Sequence, residues 1–149
     1  MIRFSLICVG KLKEEYTRAA ADDYVKRLSK YGKVTVTEVP ESDIAGEGEA
    51  LLRKLPHGHD VFVTALDLHG RMIDSVELAE MIKRETVGGV SDFVFVIGGS
   101  DGISGQVTNA ADFRLCLSPM TFTHQMTRVI ILEQIYRAMK IINGEKYHK

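Results

Sequence analysis

No run of eighteen apolar residues occurs in this 149-residue chain, so it offers no segment long enough to cross a bilayer as a helix. It also lacks a leader of basic, apolar and small residues, so secretion is not expected and a cytoplasmic location is. Cysteine is scarce. Cys8 and Cys116 each lie inside an apolar, strand-like run, which reads as two reduced core thiols and excludes a disulfide framework. No zinc spacing is present. His57-Gly58-His59 sits in a loop between Pro56 and the next strand without a third ligand, so no metal is expected. Linkers, repeats and low-complexity segments are absent too, which leaves residues 1–149 as one domain, large enough to bury a core without staples.

A net charge of −1 argues against a general nucleic-acid binder, but the charge is unevenly spread. Residues 11–33 carry seven Lys/Arg against four acids, and residues 120–149 carry five against two. Residues 34–119 carry six against fourteen. Such a split suggests that the two basic ends share one face toward an anionic partner. Within it, Lys26, Arg27 and Lys30 stand out as candidate phosphate contacts.

Hydrophobic periodicity alternates strand with helix. Phe4–Val9 reads as a strand, followed by a helix over Glu14–Tyr31 with Tyr16, Ala20, Tyr24, Leu28 and Tyr31 on one face. Val34–Val39 is a second strand, stopped by Pro40, and Glu47–Leu55 a short helix. Val61–Leu66 is a third strand. Asp74 and Glu77 have the spacing of a cap and its reciprocal partner, opening a helix to about Thr86. Phe93–Ile97, apolar throughout, fits a central strand covered on both faces. Phe113–Leu117 is the fifth, and a helix from His124 to Ile142 stops at Asn143-Gly144. The order predicts an α/β fold, a mostly parallel five-stranded sheet with helices on both faces. The last helix is apolar on most sides, which predicts burial on most sides. A second copy of the chain is the expected covering, giving a twofold homodimer through the C-terminal helix.

Two loops carry the candidate chemistry. Phe93–Ile97 empties into Gly98-Gly99-Ser100-Asp101-Gly102, and the fifth strand into Leu117-Ser118-Pro119-Met120-Thr121-Phe122-Thr123-His124-Gln125. Strand ends in α/β proteins are where ligands bind, and glycine lets main chain approach them closely. Gly98-x-Ser100-x-Gly102 also matches the nucleophile elbow of serine hydrolases, with Asp112 and His124 in suitable order. Against that reading, the segment from Ile103 to Gln106 is a poor immediate helix start. The glycine spacing is wrong for a dinucleotide fingerprint. His69, before Gly70, is expected in a turn near the pocket rim.

Taken in order, Phe95 to Gly102, Leu117-Ser118-x-Met120-Thr121-Phe122-x-His124-Gln125-x-x-Arg128-Val129, Glu133-Gln134-x-Tyr136-Arg137-Ala138 and Gly144-Glu145-x-Tyr147-His148-Lys149 closely resemble the ribosomal RNA large subunit methyltransferase H family. The resemblance covers essentially the whole chain. It departs at Thr123, where the family usually has proline; threonine can still cap the helix that follows.

That resemblance implies a SPOUT-class fold with a C-terminal trefoil knot, which general topology rules would not suggest. It implies S-adenosylmethionine as cofactor and N3 of a pseudouridine in large-subunit (23S) ribosomal RNA, in the assembled ribosome, as methyl acceptor. By resemblance the cofactor contacts fall on Leu66, Gly98, Leu117, Ser118, Pro119, Met120, Thr121 and Phe122. Methyl transfer from a sulfonium needs no metal. It needs alignment, which is worth roughly 7–11 kcal/mol when a near-attack geometry is held. It also needs an acceptor for the N3 proton, for which His148 is the first candidate and His124 the second. Arg128, Arg137 and Lys149 are expected to hold phosphates or the developing imide anion, with Tyr147 and His148 beside them on the RNA. Two rivals are kept: the serine hydrolase using Ser100, and a non-catalytic ribosome-binding module.

Overall fold

Five strands, each short and rich in branched or aromatic residues, pair in the order β2-β1-β4-β3-β5 with every neighbour parallel. The computed structural model describes residues 1–149. Its elements are β1 (Ile2–Val9), α1 (Glu15–Leu28), β2 (Gly32–Val39), α2 (Ile44–Lys54), β3 (Val61–Met72), α3 (Ser75–Val87), β4 (Asp92–Ile97), α4 (Gly105–Ala110), β5 (Phe113–Cys116) and α5 (His124–Ile142).

Alternation along the strands sorts the core into two layers. Phe4, Leu6 and Cys8 of β1, with Phe93, Phe95 and Ile97 of β4, face one side, where α1, α3 and α5 pack. Ile7, Val9, Val94 and Val96 face the other, against Leu51 of α2 and Val107 of α4. Large residues thus serve the three-helix side and smaller valines the two-helix side. The predicted parallel α/β sandwich is what forms.

Several local expectations hold. Asp74 accepts from Glu77 N at 2.8 Å while Glu77 accepts from Asp74 N at 3.0 Å, a complete capping box. The bounds expected for α5 are those observed. The two basic ends do lie side by side: Lys30 and Tyr31, just past α1, both reach Glu145 beyond α5.

Three expectations need correction, and α5 shows how much of its girth one chain covers. The segment dismissed as a poor helix start forms α4, because Ser104 caps it by accepting from Gln106 N at 3.2 Å. Tyr16 is 68% exposed, and the buried face of α1 runs through Thr17, Ala21 and Leu28 instead. α5 finds its covering within the chain, between α1 and α3 and over the sheet, which buries Ile131, Leu132, Ile135 and Met139. Each such side chain contributes roughly 1.5–3 kcal/mol, so the apolar girth of α5 does not by itself require a second copy. Finally, β3 runs past Leu66. Both Leu66 and Arg71 pair with Leu115, and the bulge between them pushes Asp67–Gly70 out of the ladder. Gly70 is required there, since a Cβ would meet the Arg114 carbonyl oxygen at 2.6 Å.

Candidate functional site

The carboxyl ends of β3, β4 and β5 open into one cleft of about 930 Å³, large enough for a nucleotide-sized ligand. Its walls are the β3 bulge, the glycine turn after β4, the loop after β5, the start of α5, Lys13 and Glu14 of the β1–α1 connection, and Tyr16 and Thr17 of α1.

The glycine turn is built by main chain meeting main chain. Gly102 N donates to Gly99 O at 3.1 Å, and Gly102 takes φ +107°. A Cβ on Gly98 would stand 2.7 Å from the Gly102 oxygen, so this position tolerates no side chain. The loop after β5 is held by its own polar groups. Cys116 Sγ donates to Ser118 O at 3.1 Å, and Met120 N to Ser118 Oγ at 3.0 Å. Thr123 caps α5 by accepting from Met126 N at 3.2 Å, as expected for threonine in place of proline.

Leu66, Gly98, Leu117, Ser118, Met120, Thr121 and Phe122 all line the cleft. Pro119 does not. It is exposed at the crest of the loop, where the Ser118–Met120 bond turns the chain outward. Four of the lining residues are charged: Glu14, Asp67 and Asp101 against Lys13. The cleft thus favours a cationic ligand. His69 lies on the rim as expected, its N donating to Asp67 Oδ1 at 3.0 Å within the bulge.

The hydrolase arrangement is not assembled. No non-glycine residue has positive φ, so Ser100 sits in an unstrained turn rather than an elbow. Asp112 spends its carboxylate on Val63 N at 2.7 Å. His124 lines the cleft, with its Nε2 buried and hydrogen-bonded to neither Ser100 nor Asp112. His57 and His59 belong to no metal-holding cluster.

Arg128 is corrected as well. It is 4% exposed, donates to Glu38 Oε2 at 2.6 Å and to Gly10 O at 2.9 Å, and faces the sheet edge rather than the cleft. One turn earlier, Gln125 Oε1 accepts from Lys13 N at 3.1 Å. Arg18 of α1 donates to the carbonyls of Leu12 and Lys13 at 3.1 and 2.9 Å. Lys13, which borders the cleft, is thus held by side chains from both α5 and α1. Arg128 positions a wall; its charge is already spent.

The tail residues come together, but elsewhere. Glu133 accepts from Arg137 Nη2 at 2.9 Å and from Tyr147 Oη at 2.7 Å, and Arg137 Nη1 lies 3.1 Å from His148 Nδ1. Arg137 stacks over the Tyr147 ring at 4.7 Å, and that ring meets Tyr136 edge-on at 5.0 Å. The Glu133 hydrogen bond raises the Arg137 pKa, while burial and then the bond to Glu133 push the Tyr147 phenol up. Glu145 accepts from Tyr31 Oη at 2.6 Å, with Lys140 and Lys30 at 3.2 and 3.4 Å. Those bonds, Tyr31 first, hold its carboxyl down at about 2. Arg137 stands thirteen residues beyond His124 on α5, about 20 Å along the axis. Lys149 is exposed past it. Within one chain, Arg137, Tyr147 and His148 form a cluster toward the far end of α5 from the cleft.

Sequence reasoning missed Glu38, Glu47 and Asp67, and gave no role to Gln125 or Glu133, which it quoted only as motif residues. Glu133 was legible, because it precedes Arg137 by four residues on a helix. The others depend on contacts between distant elements.

The profile of a family described as "Predicted SPOUT methyltransferase" matches residues 2–148. "Ribosomal RNA large subunit methyltransferase H" of Clostridium novyi (strain NT) is 46% identical, over 99% of this chain and 100% of the relative. Its counterpart in Alkaliphilus oremlandii (strain OhILAs) is 43% identical with the same coverage. Among solved structures, the tRNA (m1G37) methyltransferase from Aquifex aeolicus superposes with a TM-score of 0.55 at 14% identity, over 91% of this chain and 69% of that one. The A. aeolicus TrmH/SpoU tRNA modifying enzyme gives 0.51 at 14% identity, over 95% and 77%. These two likenesses are of fold.

Proposed function

The chain belongs to the SPOUT methyltransferase family, and on that premise we propose that it methylates large-subunit ribosomal RNA from S-adenosylmethionine. The acceptor in this reading is N3 of a pseudouridine in 23S rRNA, within the assembled ribosome and so in the cytoplasm. The observation that carries the reading is the cleft itself, which the glycine turn after β4 and the loop after β5 line together on either side of β3. The threaded C-terminal chain comes with it as a further part of the proposal.

The residues fit the cofactor. Leu66, Leu117 and Phe122 offer a dry slot for adenine, with main-chain groups of the 117–122 loop beside it. Gly98 and Gly99 admit a ligand close to the backbone, and the acidic rim suits a net cation. When bound, S-adenosylmethionine supplies an electrophilic methyl group on a positively charged sulfur. What this chain's residues add is alignment of that methyl with N3 and removal of the N3 proton.

For the proton, His148 is the first candidate and His124, whose Nε2 is buried, the second. His148 is remote from the cleft of its own chain, which favours a homodimer in which the tail of one copy serves the cleft of the other. Exposed apolar residues ring the cleft in support: Tyr16, Leu68 at 55%, Met120 at 75%, Phe122 and Met126. A lone domain gains by covering such a patch. Arg137, Tyr147 and Lys149 then lie where they can hold the RNA backbone. No helix here is long and apolar enough to cross a membrane, which agrees with a ribosomal workplace.

The test is transfer of labelled methyl to ribosomes, large subunits and free rRNA, with the modified nucleotide mapped. Label at one pseudouridine of the large subunit is expected. Ribosome binding without any affinity for S-adenosylmethionine would instead indicate a non-catalytic module.

A further inference from the structure

Glu47 is a buried acid without a cationic partner. Only 6% exposed, it lies in the first turn of α2 and accepts from Ser42 N at 3.0 Å. None of the chain's ion pairs includes it. Its carboxylate rests against the glycine turn, where a Cβ on Gly99 would stand 2.7 Å from Oε1 and 2.9 Å from Oε2. Gly99 lines the cleft, so a single glycine's thickness of main chain separates this charge from a bound ligand. The neighbouring Gly48 locks α2 to the far end of the same turn, since its Cβ would come within 2.5 Å of Ser104.

A carboxylate taken out of water is costly, and buried charges are as a rule paired, so Glu47 is left open to a cation that a ligand brings. The bond to Ser42 does not account for the charge, because a glutamine amide oxygen could accept it equally well. The three carboxylates on the rim work in the same direction, but they are solvated, whereas Glu47 acts through protein.

We infer that Glu47 is the fixed negative charge by which the cleft distinguishes a sulfonium donor from its neutral thioether product. This rests on the cofactor reading above. When the methyl passes to the acceptor nitrogen, the electron pair of the S–CH₃ bond stays on sulfur and the nitrogen gives up its proton. The positive charge leaves the ligand, and the attraction of Glu47 leaves with it. Fresh donor is favoured and spent product is released. Glu47 touches neither reacting atom; it sets which ligand stays.

Titration calorimetry with S-adenosylmethionine and with S-adenosylhomocysteine, on wild type and Glu47→Gln, tests the inference. Donor affinity is expected to fall about tenfold and product affinity to change less than about twofold. Equal losses for both ligands, or no change, overturn it and leave Glu47 a purely structural residue. Glu47→Asp keeps the charge but draws it back, and is expected to move the ratio about threefold in the same direction. An unchanged ratio there overturns the inference even if the glutamine variant does not fold. Failure of the cofactor reading looks different, because wild type would then bind neither ligand.

Discussion

Arg128 on α5 and Glu38 on β2 meet at 2.6 Å across the sheet edge, with the second Arg128 nitrogen on the carbonyl of Gly10. The arginine is 5% exposed in its side chain and the glutamate 33%, so one partner is desolvated and the other partly solvated. Replacing Arg128 by alanine leaves Glu38 and the Gly10 carbonyl without partners. A loss of about 2–4 kcal/mol in unfolding free energy is expected, measured by urea denaturation. Full stability with abolished methyl transfer would return Arg128 to the chemistry.

A tail that acts across subunits can be tested by mixing two inactive chains. Gly98→Arg blocks the cleft and spares the tail; His148→Ala spares the cleft and removes the proposed base. Co-expressed, they are expected to recover about a quarter of wild-type methyl transfer, since half the dimers then carry one complete site. No recovery, with mixed dimers verified by mass spectrometry, places the tail on its own chain.

The glycine turn has its own test. In Gly98→Ala the new methyl group meets the Gly102 oxygen at 2.7 Å, so the turn must open. Cofactor affinity is expected to drop at least about tenfold, with a loss of about 1–3 kcal/mol in stability. Calorimetry and thermal melting report the two effects separately.

Hydrogen bonds from Tyr31, then Lys140 and Lys30, to its charged form hold the Glu145 carboxyl down from 4.5 to about 2. A carboxyl depressed in the folded state contributes stability above its unfolded pKa and loses it as pH falls through the folded one. Packing of residues 145–149 is thus expected to persist at pH 5 and to weaken between about pH 4.5 and 2. Amide exchange in the tail is the readout, and Glu145→Gln is expected to abolish the pH dependence in that window. Indifference of the wild-type tail to this range would show that Glu133 and Tyr147 hold it alone.

Much of the frame was legible because its signals are local. The capping box at Asp74, the unbroken apolar run of β4 and the stop at Asn143-Gly144 are written within a few residues. α4 escaped because six residues are too few for periodicity, leaving only the hydroxyl of Ser104 as a sign. Tyr16 was misplaced because its ring fits the heptad of α1 as well as Thr17 does, and only the neighbouring elements decide. The cleft lining includes six of the seven loop and turn positions that the resemblance assigns to the cofactor, Pro119 alone lying outside it. The distance of His148 from the cleft was hidden, since residues joined through a nineteen-residue helix can end at opposite poles. Glu38 and Glu47 gave no signal, as each draws its meaning from a group brought near only by folding.

Leu115 receives β3 twice, once before and once after the detour of Asp67–Gly70. A strand that departs and rejoins at the same partner leaves the register beyond it untouched by the length of the excursion. The cleft's margin can therefore be lengthened, shortened or recharged at residues 67–69 while the five-stranded frame stays as it is.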